Sequence, residues 1–409
     1  MSVQELEARL EKISADIDLQ RELLKKLENS KILVQRQLNA VRDPVARLPL
    51  EISSEIFIQS LSPRPEPGSQ NIPMLLLNVC NTWTNIALST PRLWAVIHVD
   101  FPQAESFRRC LETWFRRAGN CPLSMSGVFD AGVRASIRPH VHRLKYLEIG
   151  LDDDETVALL AGMSPGPLPF LEKLVLQYGY RGSYSASRIL EFLRLTPNLL
   201  ELRLDIHTLI VPESPEHVVL PALLQMMFGG GSNIFGNDSA DEILRCLSLP
   251  NLRTLYLFME VLEPHDLIEF LQRSLPPLQD LIIGNLPFAE LQECLRLVPS
   301  LTQLELWRPK GLVVEEVCTA LADSPTDLLP NLRSLTIHLD WSTIISAPFC
   351  TVPLRALSGR RSQLTYFKMV QTRKRPWAPD PEPDWATFRQ LAADGMEIYV
   401  GTEERNFIS

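Results

Sequence analysis

The sequence has no run of apolar residues approaching the roughly 18 that a membrane-spanning helix needs, so nothing in it is expected to cross a bilayer. It has no C-x-x-C pair. Its seven cysteines, at positions 80, 110, 121, 246, 294, 318 and 350, are scattered and odd in number. That pattern suits reduced thiols in the cytosol or nucleus and speaks against a disulfide framework. Basic charge is short: 40 Lys and Arg against 49 Asp and Glu leave a net charge of −9, the wrong balance for a general nucleic-acid binder. The N-terminus is charged and has no apolar core of a secretory signal, so none is expected. G-x-x-x-x-G-K and G-x-G-x-x-G are both missing, which removes the usual signatures of a phosphate loop and a dinucleotide fold. The glycine-rich stretch from Phe228 to Asp238 has no Lys-Ser/Thr after it and reads as an insertion.

The remaining polar clusters are ordinary. Asp152-Asp153-Asp154-Glu155 precedes a helical pattern at Thr156–Met163, where carboxylates favour the helix N-terminus without any metal. His140 and His142 stand two apart with no companion at ligand spacing. Arg373-Lys374-Arg375-Pro376 fits a solvated loop better than a nuclear import signal. No catalytic, cofactor-binding or metal-binding residue is assigned, and the chain is expected not to be an enzyme.

What the sequence does have is periodicity. Leu6, Leu10, Ile13, Ile17, Gln20, Leu24, Leu27, Lys31, Val34, Leu38 and Val41 follow one another in alternating steps of four and three. Five heptads without Gly or Pro predict a long helix with an apolar seam. The seam suits a homodimer through residues 6–41 or a helix that folds back on its own domain; periodicity alone does not separate the two. Asp43-Pro44 ends it.

Next comes LPLEISSEIFIQSL from Leu48, a polar break, and NIPMLLLNVCNTWTNIALSTPRLW ending at Trp94. Ile52 and Ile56, then Leu75, Leu76, Val79, Trp83, Ile86 and Ala87, repeat at helical spacing, with Pro49 suited to the first turn and Pro91 stopping the second helix. Fewer than fifty residues of helix leave apolar surface over, which points to a partner. The ordered set Leu48-Pro49-x-Glu51-Ile52, Ile56-Phe57, Val79-Cys80-x-x-Trp83 and Leu93-Trp94 resembles the F-box motif. More narrowly it is similar to the F-box-like proteins of mushroom-forming fungi, although the Ser62–Pro73 loop is longer and more polar than a compact F-box needs. A strand at Ala95–Asp100, a helix at Gln103–Ala118 closed by Gly119, and a strand at Pro122–Phe129 follow.

From Leu144 the chain repeats L-x-x-L-x-L nine times, at intervals of 23 to 32 residues, ending at Leu364-Phe367-Met369. Seven of the nine carry a proline two places ahead, at 169, 197, 221, 250, 276, 299 and 330. Helical patterns lie between them at Ser187–Leu195, Asp241–Leu247 (with Ser239-x-x-Glu242 as a capping box), His265–Leu275, Phe288–Leu297 and Glu315–Leu321. A strand and a helix per unit predict an irregular leucine-rich-repeat solenoid of parallel strands with outer helices, closed by a helix and strand within Trp385–Val400. The asparagine that usually follows the strand in such repeats is absent.

The fold class expected is therefore α/β, in four segments: a coiled-coil helix (1–43), a small all-α F-box-like domain (44–95), a connecting strand-helix-strand (96–143) and the repeat solenoid with its cap (144–409). The resemblance implies a substrate-recognition subunit of a Skp–cullin–F-box ubiquitin ligase, in which the F-box binds the Skp adaptor and the solenoid binds a protein substrate. It implies Leu48, Pro49, Ile52, Val79 and Trp83 as adaptor-facing residues. On the open face of the repeats, Arg203, Tyr256, Phe258, Glu305 and Trp307 are the substrate-binding candidates, since aromatics flanked by Arg and carboxylates make binding hot spots. The same residues could equally pack under a loop or the terminal cap. The other reading of the whole is a non-ligase scaffold that binds partners through the coiled coil and the solenoid.

Overall fold

In the computed structural model the described residues are 3–66, 70–99, 105–129, 131–151, 166–178, 183–206, 208–211, 216–229, 240–257, 263–284, 286–324, 327–340, 347–371 and 385–408. They form two units, Met1–Ser126 and Gly127–Ser409. Among the described residues no helix is long and apolar enough to cross a membrane.

The first unit opens with α1 (Val3–Arg42), one uninterrupted helix of 40 residues. Asp43 ends it by turning its Oδ1 back to accept the Val45 backbone N–H at 2.9 Å. α2 (Leu50–Gln59) starts after Pro49, which sits just outside the helix as its cap with ψ 147° and not in the first turn. The side chains that α2 buries are Ser53 and Phe57. The stripe from Leu75 to Ala87 does not form the single helix its spacing predicts. It breaks into a 3-10 turn, Leu75–Asn78, and α3, Asn81–Leu88. The reason is local: Cys80 is extended (φ −158°), and its sulfur accepts the Trp83 N–H as a helix cap. The Thr84 hydroxyl bonds the carbonyls of Leu77 and Cys80, at 2.9 and 3.0 Å, drawing the two pieces together. Side-chain bonds of this kind compete with helix continuation.

Pro91 opens a further 3-10 turn, Pro91–Trp94, in which Leu93 and Trp94 are sealed. The Trp94 indole donates to the Ala87 carbonyl at 2.9 Å and meets the Trp114 ring edge-on at 5.1 Å. The Arg117 guanidinium covers the Trp94 ring at 4.4 Å. Trp114 and Arg117 come from the helix Glu105–Arg117, which ends at Gly119 with φ +57°, a conformation that only glycine adopts at no cost. The strand Val96–Val99 follows the Pro91–Trp94 turn, and Ser124, at the start of the strand Leu123–Val128, donates to the Ala95 carbonyl at 2.8 Å.

The second unit is built on ten parallel strands. They run Leu144–Leu151, Lys173–Tyr178, Glu201–Asp205, Gln225–Phe228, Thr254–Leu257, Asp280–Ile283, Gln303–Trp307, Ser334–Leu339, Tyr366–Gln371 and Glu397–Thr402. Each pairs with the next one in the chain, so the sheet order is the sequence order. The register stacks like on like. Leu147, Leu174, Leu202, Met226, Leu255, Leu281, Leu304, Leu335, Phe367 and Ile398 form one column. A second column, two residues on in each strand, runs from Ile149 to Val400, and both columns are buried. Period-two alternation sends these side chains to one face and leaves the intervening positions on the other.

Between strands lie helices Ala186–Leu193, Pro264–Ser274, Phe288–Leu297, Gly311–Asp323, Ala347–Gly359 and Trp385–Ala393, of which the five from Pro264–Ser274 onward each pack on the next. Three features depart from the periodicity. The Asp241–Leu247 pattern forms a 3-10 helix, Ala240–Cys246, and Ser239 of its capping box lies outside the described residues. Ala347–Gly359 is a helix that no sequence pattern announced, and it holds Pro353 within it. Ala131–Ile137 is a second unannounced helix. The helical pattern at Thr156–Met163, the acidic run 152–155, the insertion 230–238 and the basic run 373–375 all lie outside the described residues.

Two side-chain devices tie successive repeats together. In Pro197-Asn198, Pro250-Asn251 and Pro330-Asn331 the asparagine amide reaches one repeat back. It donates to the carbonyls of Pro169, Pro221 and Pro299 at 2.8, 2.8 and 3.0 Å. Arg360 is buried and spends its guanidinium on the carbonyls of Leu321, Ser324, Leu328 and Leu329. These carbonyls end the helix Gly311–Asp323 and its following turn, where backbone acceptors have no helical partner. Arg360→Met keeps the volume but strands four acceptors. It should lower stability by about 3 kcal/mol, against about 1 kcal/mol for Asn251→Ala, read from urea unfolding of the full chain.

Candidate functional site

In the first unit the chemistry converges on Asp43. Its Oδ2 accepts the Trp83 indole N–H at 2.8 Å and lies 3.9 Å from the Cys80 thiol. The Trp83 ring tilts against Phe57 with centroids 4.9 Å apart. From the last turns of α1, Arg36 donates to the Leu77 carbonyl and, at 3.2 Å, to the Thr84 hydroxyl, while Asn39 donates to the Val79 carbonyl at 3.0 Å. The C-terminal end of α1 therefore completes the hydrogen bonding of the broken Leu75–Leu88 segment. α2 is held from its inner side: the Ser53 hydroxyl donates to the Val45 carbonyl at 3.3 Å, and the Ser54 and Thr90 hydroxyls bond each other at 2.9 Å.

This arrangement puts the small polar Ser53 inside beside Phe57 and leaves several other apolar groups outside. Leu48 is 42% exposed, Leu50 50%, Ile52 51% and Ile56 45%, and Pro49 is exposed as well. Of the residues that the motif suggested as adaptor-facing, Leu48, Pro49 and Ile52 are open on this side. Val79 and Trp83 are half-buried, and the polar atom of Trp83 is engaged by Asp43. Leu50 and Ile56 join the open set. Ile56 could have been found by its i+4 spacing from Ile52; Leu50 carries no such signal.

The second surface is the open face of the ten parallel strands of the second unit. The column beside the leucines contains Arg203, Met227, Tyr256, Ile282, Glu305 and Lys368, all half-buried. Glu148, Val175 and Thr336 occupy the same column but are buried. Arg203 is turned along its own strand onto Asp205, with Nε and Nη2 at 3.0 and 2.7 Å from one carboxylate oxygen. Glu305 accepts the Trp307 indole N–H at 2.6 Å and lies 2.9 Å from His338 Nε2, and the Trp307 and His338 rings stack at 4.2 Å. Sequence reasoning named Glu305 and Trp307 but missed His338, which sits one strand over from Trp307 in register. Phe258 lies outside the described residues.

Electrostatics follow from these contacts. Burial alone would raise the Glu305 carboxyl, yet the His338 hydrogen bond and charge, the Trp307 N–H and Lys368 outweigh it and hold Glu305 below its ordinary value of 4.5. Burial, with Asp280 and Glu305 nearby, pushes the Tyr256 phenol up, so it stays a neutral donor. Away from this face, burial above all, then Arg143 and His142, lowers the His140 imidazole. Cys294, Cys318 and Cys350 are pushed up to about 12, chiefly by burial; such thiols are poor nucleophiles. Among the described residues no group of three or more His, Cys, Asp or Glu could hold a metal ion. Both surfaces are suited to contact. The chain matches no protein-family model, and no curated protein is significantly similar to it.

Two outcomes test this geometry. Trp83→Phe keeps the ring on Phe57 but withdraws the donor from Asp43, and should lower the unfolding free energy of the first unit by about 1–2 kcal/mol in denaturant titration. Because the Glu305 pKa is depressed in the folded state, its stabilisation is complete above pH 4.5 and is lost as pH falls through the lower folded value. The gap in Tm between wild type and Glu305→Gln should therefore be widest at neutral pH and close on acidification below pH 4.5.

Proposed function

We propose that this chain is an F-box-like substrate-recognition subunit of a Skp–cullin–F-box ubiquitin ligase. In this reading the first unit docks on the Skp adaptor, and the leucine-rich repeats of the second unit present a protein substrate. The observation that carries the reading is the inverted packing of α2: Ser53 faces in while Leu48, Leu50, Ile52 and Ile56 stay open. A helix that leaves Leu50, Ile52 and Ile56 about half in water while burying a serine beside Phe57 is shaped by something outside the chain. The Leu-Pro-x-Glu-Ile and Val-Cys-x-x-Trp motifs that suggested the family lead into this same element and its partner α3. Leu48, Pro49 and Ile52 would make direct adaptor contact, with Val79 at the margin. Trp83 would act from behind, through Asp43 and Phe57, by fixing α2.

On the second unit, Tyr256, Trp307 and Glu305 offer an aromatic and acidic strip, with Arg203 toward its other end. Half-buried aromatics with fixed polar neighbours lose little side-chain freedom on binding, a property of hot-spot residues. The subunit would perform no chemistry itself: by holding two proteins at once it raises the effective concentration of substrate lysines near the ligase.

Co-expression with a Skp adaptor tests the reading directly. Wild-type chain should co-purify with the adaptor, and Leu48→Glu/Ile52→Glu should reduce adaptor recovery at least about tenfold, since two buried charges would be left unpaired. Both positions are exposed, so the variant should keep the wild-type circular dichroism spectrum and melting profile. Trp307→Ala should leave adaptor recovery unchanged. Equal recovery from wild type and the double variant would favour the scaffold reading instead.

A further inference from the structure

The seam of α1 faces away from the residues that anchor the helix. With Leu10, Ile17, Leu24, Lys31 and Leu38 at heptad position a, the d positions are Ile13, Gln20, Leu27, Val34 and Val41. Arg36, Asn39 and Asp43, which tie α1 to its own unit, then fall at f, b and f. These positions lie on the side of a helix opposite a and d. The expectation that the stripe itself folds back on the domain is therefore not met: the polar back of the helix does the docking. The seam stays open, with Leu10 69%, Leu27 60%, Val34 64% and Val41 80% exposed.

We propose that this seam is covered by α1 of a second copy of the chain, running antiparallel with Leu10 opposite Val41. The polar seam residues and the flanking charges select both the occupant and the direction. In an in-register parallel dimer, Lys31 would face Lys31 at an a position and Gln20 would face Gln20. In the antiparallel register the layers are 10 with 41, 13 with 38, 17 with 34, 20 with 31 and 24 with 27. Gln20 then meets Lys31 of the second copy, an amide oxygen beside an ammonium, and every other layer is apolar on both sides. Antiparallel coiled coils bring e positions of the two helices together. Here that pairs Glu7 with Arg42 and Arg21 with Glu28, each twice by symmetry, and no like charges meet. Sliding the antiparallel pair by one heptad toward the N-terminus spoils this, since Arg21 then faces Arg21 and Lys31 faces Ile13. Among the described residues, Arg21 within one copy pairs with Asp18 on its own helix, at 3.3 Å with the side chains 76% and 75% exposed, so little opposes its reorientation.

Full-length chain should sediment at twice its 46.3 kDa mass, and Ile17→Asp/Leu24→Asp, both at exposed seam positions, should sediment as a folded monomer. Leu10→Cys/Val41→Cys, oxidised and mapped by mass spectrometry, should yield disulfides joining position 10 to position 41. Such a link cannot form within one helix, where the two lie on the order of 45 Å apart. Arg21→Glu should raise the dimer Kd about tenfold, and adding Glu28→Arg should restore it. That restoration is specific to the antiparallel pairing, because a parallel dimer would set Arg21 against Asp16. A monomeric wild type at tens of micromolar, links joining 10 to 10 or 41 to 41, or a failure of Glu28→Arg to rescue would each overturn the proposal.

Discussion

A strand of four residues such as Thr254–Leu257 can bury its two leucines and satisfy its peptide groups only when another strand lies about 4.8 Å away on each side. Everything in the second unit follows from that constraint. The stacked columns from Leu147 to Ile398 and from Ile149 to Val400 are the cores of ten units, none of which closes by itself. Identical register in every pairing keeps each leucine over the next, and a slip of one residue would turn both columns to the open face. The Asn-to-Pro bonds and Arg360 then act at the seams between units, where backbone carbonyls would otherwise be stranded. The open face inherits its order from this stacking. Glu305, Trp307 and His338 meet because the strands carrying them are adjacent and in register.

The first unit obeys a different rule. It is too small to bury all its apolar groups, so what matters is which ones it leaves out. Asp43 makes that choice. By drawing Trp83, Cys80 and the Val45 backbone to one carboxylate, it fixes α3 under α2 and turns Ser53 and Phe57 inward. Ile52 and Ile56 are then on the far side. The same residue ends α1, so the long helix and the small bundle share a joint. Arg36 and Asn39 extend that joint along the polar back of α1, and the apolar seam is released to meet something else.

Much of this was legible along the chain. The L-x-x-L-x-L spacing with its preceding prolines located nine of the ten strands, and the final one was visible in Met396, Ile398 and Val400. Gly119, Asp43-Pro44 and the α1 heptads marked their boundaries well. The break at Cys80 was not legible, because a continuous helix and a capped pair of short ones share the same apolar spacing. The cap depends on the Trp83 N–H reaching a sulfur three residues back. Nor was the role of Asn198, Asn251 and Asn331. The asparagine sought was one after the strand, whereas these precede it and reach about thirty residues back in sequence.

Periodicity and turn chemistry are properties of neighbouring residues, so the sequence by itself determined where the repeat strands and most of the helices would form and which side of each strand would be greasy. What it left open was the inward or outward sense of helices with apolar residues all round, as in α2, and the side on which α1 is anchored. Those depend on which distant polar group reaches which carbonyl or indole first, and only the folded chain brings Asp43 to Trp83 or Arg36 to Leu77. Spacing ranks a helix's faces by greasiness; a few hydrogen bonds across forty residues decide which face is used.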